Sequence, residues 1–218
     1  MIEAILPPYV VAAECLGGEL DGPLHPEEEA AIARAVSKRR KEFTTGRVCA
    51  RQALARLGLP PGPIASGERG EPLWPDGVLG SITHCAGYRA AVVGRASAAA
   101  VIGIDAEPGA PLPDGVLEVV SLPAERLMLE RLLRDHPGVC WDRLLFCAKE
   151  AVYKAWYPLE GRWLDFHEAQ VVLDPTGAFT ARLLVPAPGM AARGLDGFSG
   201  RWLARHDLLL ASIIAPAP

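Results

Sequence analysis

The sequence predicts an α+β fold with mixed or antiparallel sheet. Two observations carry this. Helical patterns come first and short strand patterns follow, and that order occurs in both halves of the chain with no clear sequence repeat. Glycines and prolines, 22 and 20 of them, fall mostly between the patterned segments as turn punctuation. With 218 residues, half of them hydrophobic, the chain can bury a sizeable core in one large domain or two small ones.

The elements follow in order. Residues 2–13 alternate weakly, as an early strand would. A helix is expected over 26–43, with Pro26 at its first position and Glu27, Glu28 and Glu29 in its first turn. Lys38, Arg39, Arg40 and Lys41 would crowd its end, where the helix dipole favours cations. A second helix is expected over 46–57, capped by Thr44 or Thr45 and ended by Gly58. Arg47 and Arg51 would share one of its faces. The turn-rich stretch 57–77 reads as an ordered loop. Strands are expected at 80–83, 89–93 and 100–105, with His84, Cys85 and Gly87 in the tight connection between the first two. The proline-rich segment 106–115 is the candidate boundary between subdomains 1–107 and 108–218. Helices resume at 123–135 and 142–157, the latter stopped by Pro158. The tail holds strands near 169–173, 179–184, 201–204 and 208–214, with Asp174-Pro175-Thr176-Gly177 as a hairpin turn.

Composition excludes several classes. A net charge of -4 offers no global basic field for nucleic acid. Five cysteines without a CxxC pair read as free thiols in a reducing cytoplasm. Glu3, Pro7 and Pro8 break the pattern of a secretory signal, and no apolar run reaches the roughly 18 residues of a membrane span.

Three segments could carry chemistry. In Gly103-Ile104-Asp105-Ala106-Glu107-Pro108, at a strand end, Asp105 and Glu107 point to one side. Like charges so placed repel unless neutralised, and a hard cation with oxygen ligands does that. A bland reading, two solvated acids before a turn, is also open. In Phe146-Cys147-Ala148-Lys149-Glu150-Ala151-Val152-Tyr153-Lys154-Ala155-Trp156, an apolar stripe faces the core. Glu150 and Lys154 there suit either a surface ion pair or a third metal ligand beside a phosphate-facing lysine. In Gly80-Ser81-Ile82-Thr83-His84-Cys85, the histidine is a structural group or a phosphate donor. No GxSxG elbow surrounds Ser81, and there is no GxxxxGK[ST] loop, no GxGxxG after a strand and no HExxH.

Together and in this order, the segments 70–85, 103–108 and 146–156 resemble the Sfp/EntD-type 4′-phosphopantetheinyl transferases, especially actinobacterial members serving fatty-acid, polyketide and siderophore assembly. The resemblance implies two similar α/β subdomains in a pseudo-two-fold arrangement, with the active site in the cleft between them. It implies a magnesium-dependent transfer of 4′-phosphopantetheine from coenzyme A to a serine of apo acyl or peptidyl carrier proteins, releasing 3′,5′-ADP, by a monomeric cytoplasmic enzyme. Asp105, Glu107 and Glu150 match the metal ligands. Glu150 and Lys154 match the catalytic pair, with Glu150 as general base. Arg39, Arg40, Arg47, Thr83, His84, Asp105, Lys149 and Lys154 match coenzyme-binding positions, His84 and Arg47 toward the 3′-phosphate. Two departures stand out. Glu71 occupies a position where some relatives carry lysine, with Arg69 two residues earlier, and Ser66 stands where some carry a basic residue. Leu122, Leu127, Met128 and Leu132 read either as a carrier-docking surface or as an ordinary core-facing helix stripe. Two rivals use the same residues: a coenzyme A pyrophosphate hydrolase, and a coenzyme A-binding protein without catalysis.

Overall fold

A computed structural model describes residues 1–217. β1 (Val10–Leu16), β2 (Val78–Cys85) and β3 (Tyr88–Arg95) form a sheet in the order β1-β3-β2. β4 (Ala99–Pro108) begins a second sheet with β5 (Ala169–Asp174), β6 (Ala178–Leu183), β7 (Phe198–Arg205) and β8 (Leu208–Pro216), ordered β4-β8-β7-β6-β5. Every strand pair among the described residues is antiparallel. The β2–β3 hairpin closes through Ala86 and Gly87, and Gly87 takes φ 75°, which costs a residue without a Cβ nothing.

Three expectations need correction near the N-terminus. No strand runs over 2–13: Ile2–Ile5 is a 3₁₀ turn with Ile2 and Ile5 buried, and β1 starts only after Pro7 and Pro8. The expected helix over 26–43 ends early, as α1 (Pro26–Ala31). α2 (Ser37–Arg56) then runs unbroken through the expected start of a second helix. Thr45 does not cap a helix. It is buried inside α2, where its hydroxyl accepts from Leu20 N at 3.1 Å. Lys38, Arg39 and Arg40 therefore lie in the first turn of α2, where the dipole opposes cations. Dipole complementarity cannot account for them.

α3 (Val116–Val120), a short helix not foreseen, leads into α4 (Pro123–Asp135) and α5 (Trp141–Glu160). α5 continues past Pro158, whose missing N–H falls in the last turn. The helix ends at Gly161 in the left-handed region, whose N–H donates to Tyr157 O. α6 (Pro188–Ala191) is one turn.

α2 packs on one face of the first sheet through Cys49, Ala50, Ala53 and Leu54. The other face packs against β4, so central β3 is buried from Tyr88 to Gly94. On its far side β4 meets α5, and this contact fixes the geometry of the site. A Cβ added at Gly103 would stand 2.4 Å from Ala151 O and 2.8 Å from the Ala155 Cβ. Only glycine lets α5 lie this close to β4.

Candidate active site

β2 alternates its side chains, and that alternation organises the site. Ser81 and Thr83 point to β4, where Ser81 Oγ accepts from Ile104 N and Thr83 Oγ1 donates to Asp105 Oδ1 at 3.1 Å. Ile82 packs by Gly46 of α2, and His84, two residues on, points to the same helix. One step along β2 thus separates a carboxylate cluster from a cation cluster.

In the carboxylate cluster Asp105 is 5% exposed. Its Oδ1 accepts from Thr83 and from Lys154 Nζ at 2.7 Å, while Oδ2 is buried without a hydrogen-bond partner. Glu150, one turn before Lys154 on α5, is half-buried. Burial first, and then the negative charge of Asp105, push its carboxyl up to about 7. Burial and Asp105 also raise Glu107, against the attraction of Arg143. Arg143 donates to Glu107 Oε2 at 2.9 Å and to the carbonyls of Ala110 and Pro111. For Lys154 burial works to lower the pKa, but Asp105 and Glu150 overcome it and the ammonium is held above its ordinary value.

The buried, unpartnered Asp105 Oδ2 and the raised Glu150 are what excess negative charge produces. Both fit a hard divalent cation, which needs only one or two protein carboxylates when phosphates complete its shell. No three His, Cys, Asp or Glu side chains among the described residues close into a metal cage by themselves.

The cation cluster gathers around His84. Arg39 Nη1 lies 2.7 Å from His84 Nε2, and burial followed by the Arg39 charge lowers the His84 pKa. Arg47 is 4% exposed and has no carboxylate partner, because Glu28 is taken by Arg51 at 2.8 Å. Arg47 donates to Ser66 Oγ, stacks on Phe43 at 4.2 Å and leaves its buried Nε unpaired. Burial pulls the guanidinium down to about 10. Ser66, one of the two departures, is thus an acceptor for Arg47. The other, Glu71, turns into its own loop and accepts from Arg69 N at 2.9 Å.

Two expected residues stand apart. Arg40 points away from His84, donating to Ile32 O and Glu29. Lys149 also borders the cavity beside Glu150, but its ammonium is turned to acceptors of the protein itself. Its ammonium is 1% exposed and saturated by Glu125 Oε2 at 2.8 Å, Phe166 O at 2.6 Å and Ala169 O at 3.0 Å. Its expected contact with phosphates is corrected by this geometry: three acceptors on α4, the 166–168 turn and β5 already hold it. Of the expected docking stripe, Leu127 is exposed, while Leu132 is buried and Met128 packs on the core.

Sequence reasoning missed Glu125, Arg143 and a cavity of about 260 Å³ beside Glu150, lined by Tyr153, Trp163, Leu164 and Phe166. The aromatic content of 153–166 was a visible signal for the cavity. No local pattern marked Glu125 or Arg143, whose partners are distant in sequence.

The two clusters, one of buried acids and one of cations short of carboxylate partners, have the charge to suit a metal ion and a polyanion. The model for the 4′-phosphopantetheinyl transferase N-terminal domain matches residues 27–94, and that for the 4′-phosphopantetheinyl transferase superfamily matches residues 101–204. The chain is 58% identical over 222 residues to 4′-phosphopantetheinyl transferase Svp of Streptomyces mobaraensis, covering 100% of this chain and 90% of that protein. It is 51% identical over 194 residues to 4′-phosphopantetheinyl transferase PptT of Mycobacterium tuberculosis, covering 87% and 85%. With 4′-phosphopantetheinyl transferase Npt of Nocardia iowensis it shares 50% over 224 residues, covering 98% and 99%. The chain belongs to the 4′-phosphopantetheinyl transferase superfamily. Among the described residues no helix is long and apolar enough to cross a membrane.

Proposed function

We propose that this enzyme transfers the phosphopantetheine arm of coenzyme A to a serine of apo acyl and peptidyl carrier proteins, releasing adenosine 3′,5′-bisphosphate. The observation that carries the reading is the pair of clusters divided by β2: coenzyme A bears a pyrophosphate and a separate 3′-phosphate, and each cluster suits one of them.

Asp105, Glu107 and Glu150 would hold magnesium, with Asp105 Oδ2 the readiest donor. Bound there, magnesium would polarise the pyrophosphate and offset charge on the leaving bisphosphate. Lys154, paired with Asp105, would offset the negative charge that builds on that leaving group. Thr83 keeps Asp105 oriented. Arg39, His84 and Arg47 receive the 3′-phosphate. Arg40 and Lys149 serve as braces, of the α1–α2 joint and of α5. The cavity of Tyr153, Trp163, Leu164 and Phe166 adjoins Glu150 and would seat the pantetheine arm, placing its phosphate by the acids. Glu150, beside the acids that would hold magnesium, is the base candidate by position and takes the serine proton, directly or through a water, although a bound cation would lower its carboxyl and weaken it as a base. The nucleophile comes from the carrier, which explains the lack of a nucleophile elbow. Residues 1–107 and 108–218 are read as the two walls of this cleft, with β4 as their seam. Five free cysteines suit a cytoplasmic enzyme, and light scattering should give the mass of a monomer.

Intact-protein mass spectrometry tests the reading. An apo carrier protein is incubated with the enzyme, coenzyme A and magnesium. The expected result is one added phosphopantetheine, lost with EDTA and lost when the carrier serine is alanine. Cleaved coenzyme A without a modified carrier would identify a hydrolase. Intact coenzyme A and unmodified carriers throughout would leave only a binding protein.

A further inference from the structure

The hydrogen bond between Arg39 and His84 fixes more than a distance. A guanidinium can only donate, so Nε2 of His84 must be the bare, accepting nitrogen. The ring proton then sits on Nδ1. The group facing Nδ1 is Glu42, whose Oε2 lies 3.9 Å away. Glu42 is three residues after Arg39 on α2, so the two reach the imidazole from one helix face, a donor on one ring nitrogen and a carboxylate toward the other. The other oxygen of Glu42, Oε1, lies 3.9 Å from Arg89 Nη2. Arg89 is the cross-strand partner of His84 in the β2–β3 register, and it is nearly buried with its Nε unpaired. Glu42 itself is only 14% exposed at its side chain. The carboxylate is thus clamped between two cationic or protonatable groups of one hairpin. The charged groups around His84 are Arg39 and Glu42 from α2, Arg89 from β3 and Lys154 from α5. Glu42 is the one negative charge among them, and it lies within ion-pair reach of the proton-bearing nitrogen.

We propose that Glu42 is a positioning residue. It holds His84 in the tautomer with the proton on Nδ1 and so keeps Nε2 on the side of Arg39, where an arriving anion would meet both. When a phosphate arrives, it replaces Nε2 as the acceptor for Arg39, Nε2 takes up a proton from solvent to donate to it, and Glu42 balances the single positive charge the ring then carries. The assignment rests on the reading of His84 as a 3′-phosphate group. It predicts that Glu42 matters for that phosphate and not for the rest of coenzyme A.

The test compares the wild-type enzyme with E42Q, an isosteric change that removes the charge. Long-range ¹H–¹⁵N spectra of the histidine rings, with the His84 signal assigned by its loss in H84N, report the tautomer in the protein alone. Calorimetric affinities for coenzyme A and for 3′-dephospho-coenzyme A report the phosphate. The wild type should show Nδ1–H at His84, and E42Q should lose that preference. Affinity for coenzyme A should fall about five- to tenfold in E42Q, as expected when the imidazolium loses the one carboxylate that balances its charge. Affinity for the dephospho form should be unchanged. Glu42→Asp, whose shorter arm keeps the charge, should recover part of the coenzyme A affinity. An Nδ1–H tautomer retained in E42Q, or an equal loss for both ligands, overturns the proposal. Absence of transfer to any carrier in the mass-spectrometric assay would instead sink the reading of function, since the spectra and affinities do not depend on turnover.

Discussion

Replacing Glu150 with glutamine should stabilise the enzyme while abolishing its activity. Burial and Asp105 raise this carboxyl from 4.5 to about 7. At about 1.36 kcal/mol per unit, that gap corresponds to about 3 kcal/mol of proton-linked stability. The folded-state pKa is the higher one, so the contribution is fully present below about pH 4.5. It is lost as pH rises through about 7, where the folded protein must carry a half-buried charge next to Asp105. Glutamine mimics the protonated form and never incurs this cost. In EDTA, wild type and Glu150→Gln should therefore melt together near pH 4.5 and diverge above it. By pH 8 the variant should lead by about 6 °C, given about 2.1 cal/mol/K of unfolding entropy per residue over 218 residues. Magnesium at pH 8 should close the gap by stabilising the wild type alone. Scanning fluorimetry across pH 4.5–8.5, with EDTA or magnesium, measures all of this. Parallel curves for the two proteins in EDTA would refute the electrostatic account of the acid cluster. Near-wild-type turnover of the variant at saturating magnesium would refute the base assignment.

Two further outcomes follow from packing. Gly103→Ala puts a methyl group against Ala151 O, so α5 must retreat from β4. Melting should drop by an amount equivalent to about 1–3 kcal/mol, and transfer should fall more than coenzyme A binding, because Glu150 and Lys154 move relative to Asp105. An unchanged melting temperature would show that the contact is slack. Trp163→Ala removes an indole that is 57% exposed, so stability should hardly change. The KM for coenzyme A should rise about tenfold through lost apolar contact with the arm, and an unchanged KM would remove the cavity from the binding site.

Much of the fold was readable in the chain. The apolar stripe of α5, the strands near 169–173 and 179–184 and the Asp174–Gly177 turn are local patterns, and α5, β5 and β6 form where those patterns lie. The differences have two causes. α1 and α2 were joined and divided at the wrong residues because Thr45 looks like a cap until Leu20, 25 residues away, claims its hydroxyl. The strand expected over 2–13 is cut short by Pro7 and Pro8, so that β1 begins only at Val10.

The sequence by itself determined which side chains carry charge, their order along the chain and which neighbours share a strand or helix face. That raised Asp105, Glu107, Glu150, Lys154 and His84 as candidates, and the resemblance to a family, not the strand and helix periods, supplied their expected roles. Only the tertiary structure decided how the charges are partnered. It gave Glu28 to Arg51 and left Arg47 uncompensated, turned Lys149 into the core toward Glu125, and set Glu42 between His84 and Arg89. Pairing depends on which elements approach closely enough for charges to meet, and that distance is fixed by packing between residues far apart in the chain, as at Gly103 beneath α5.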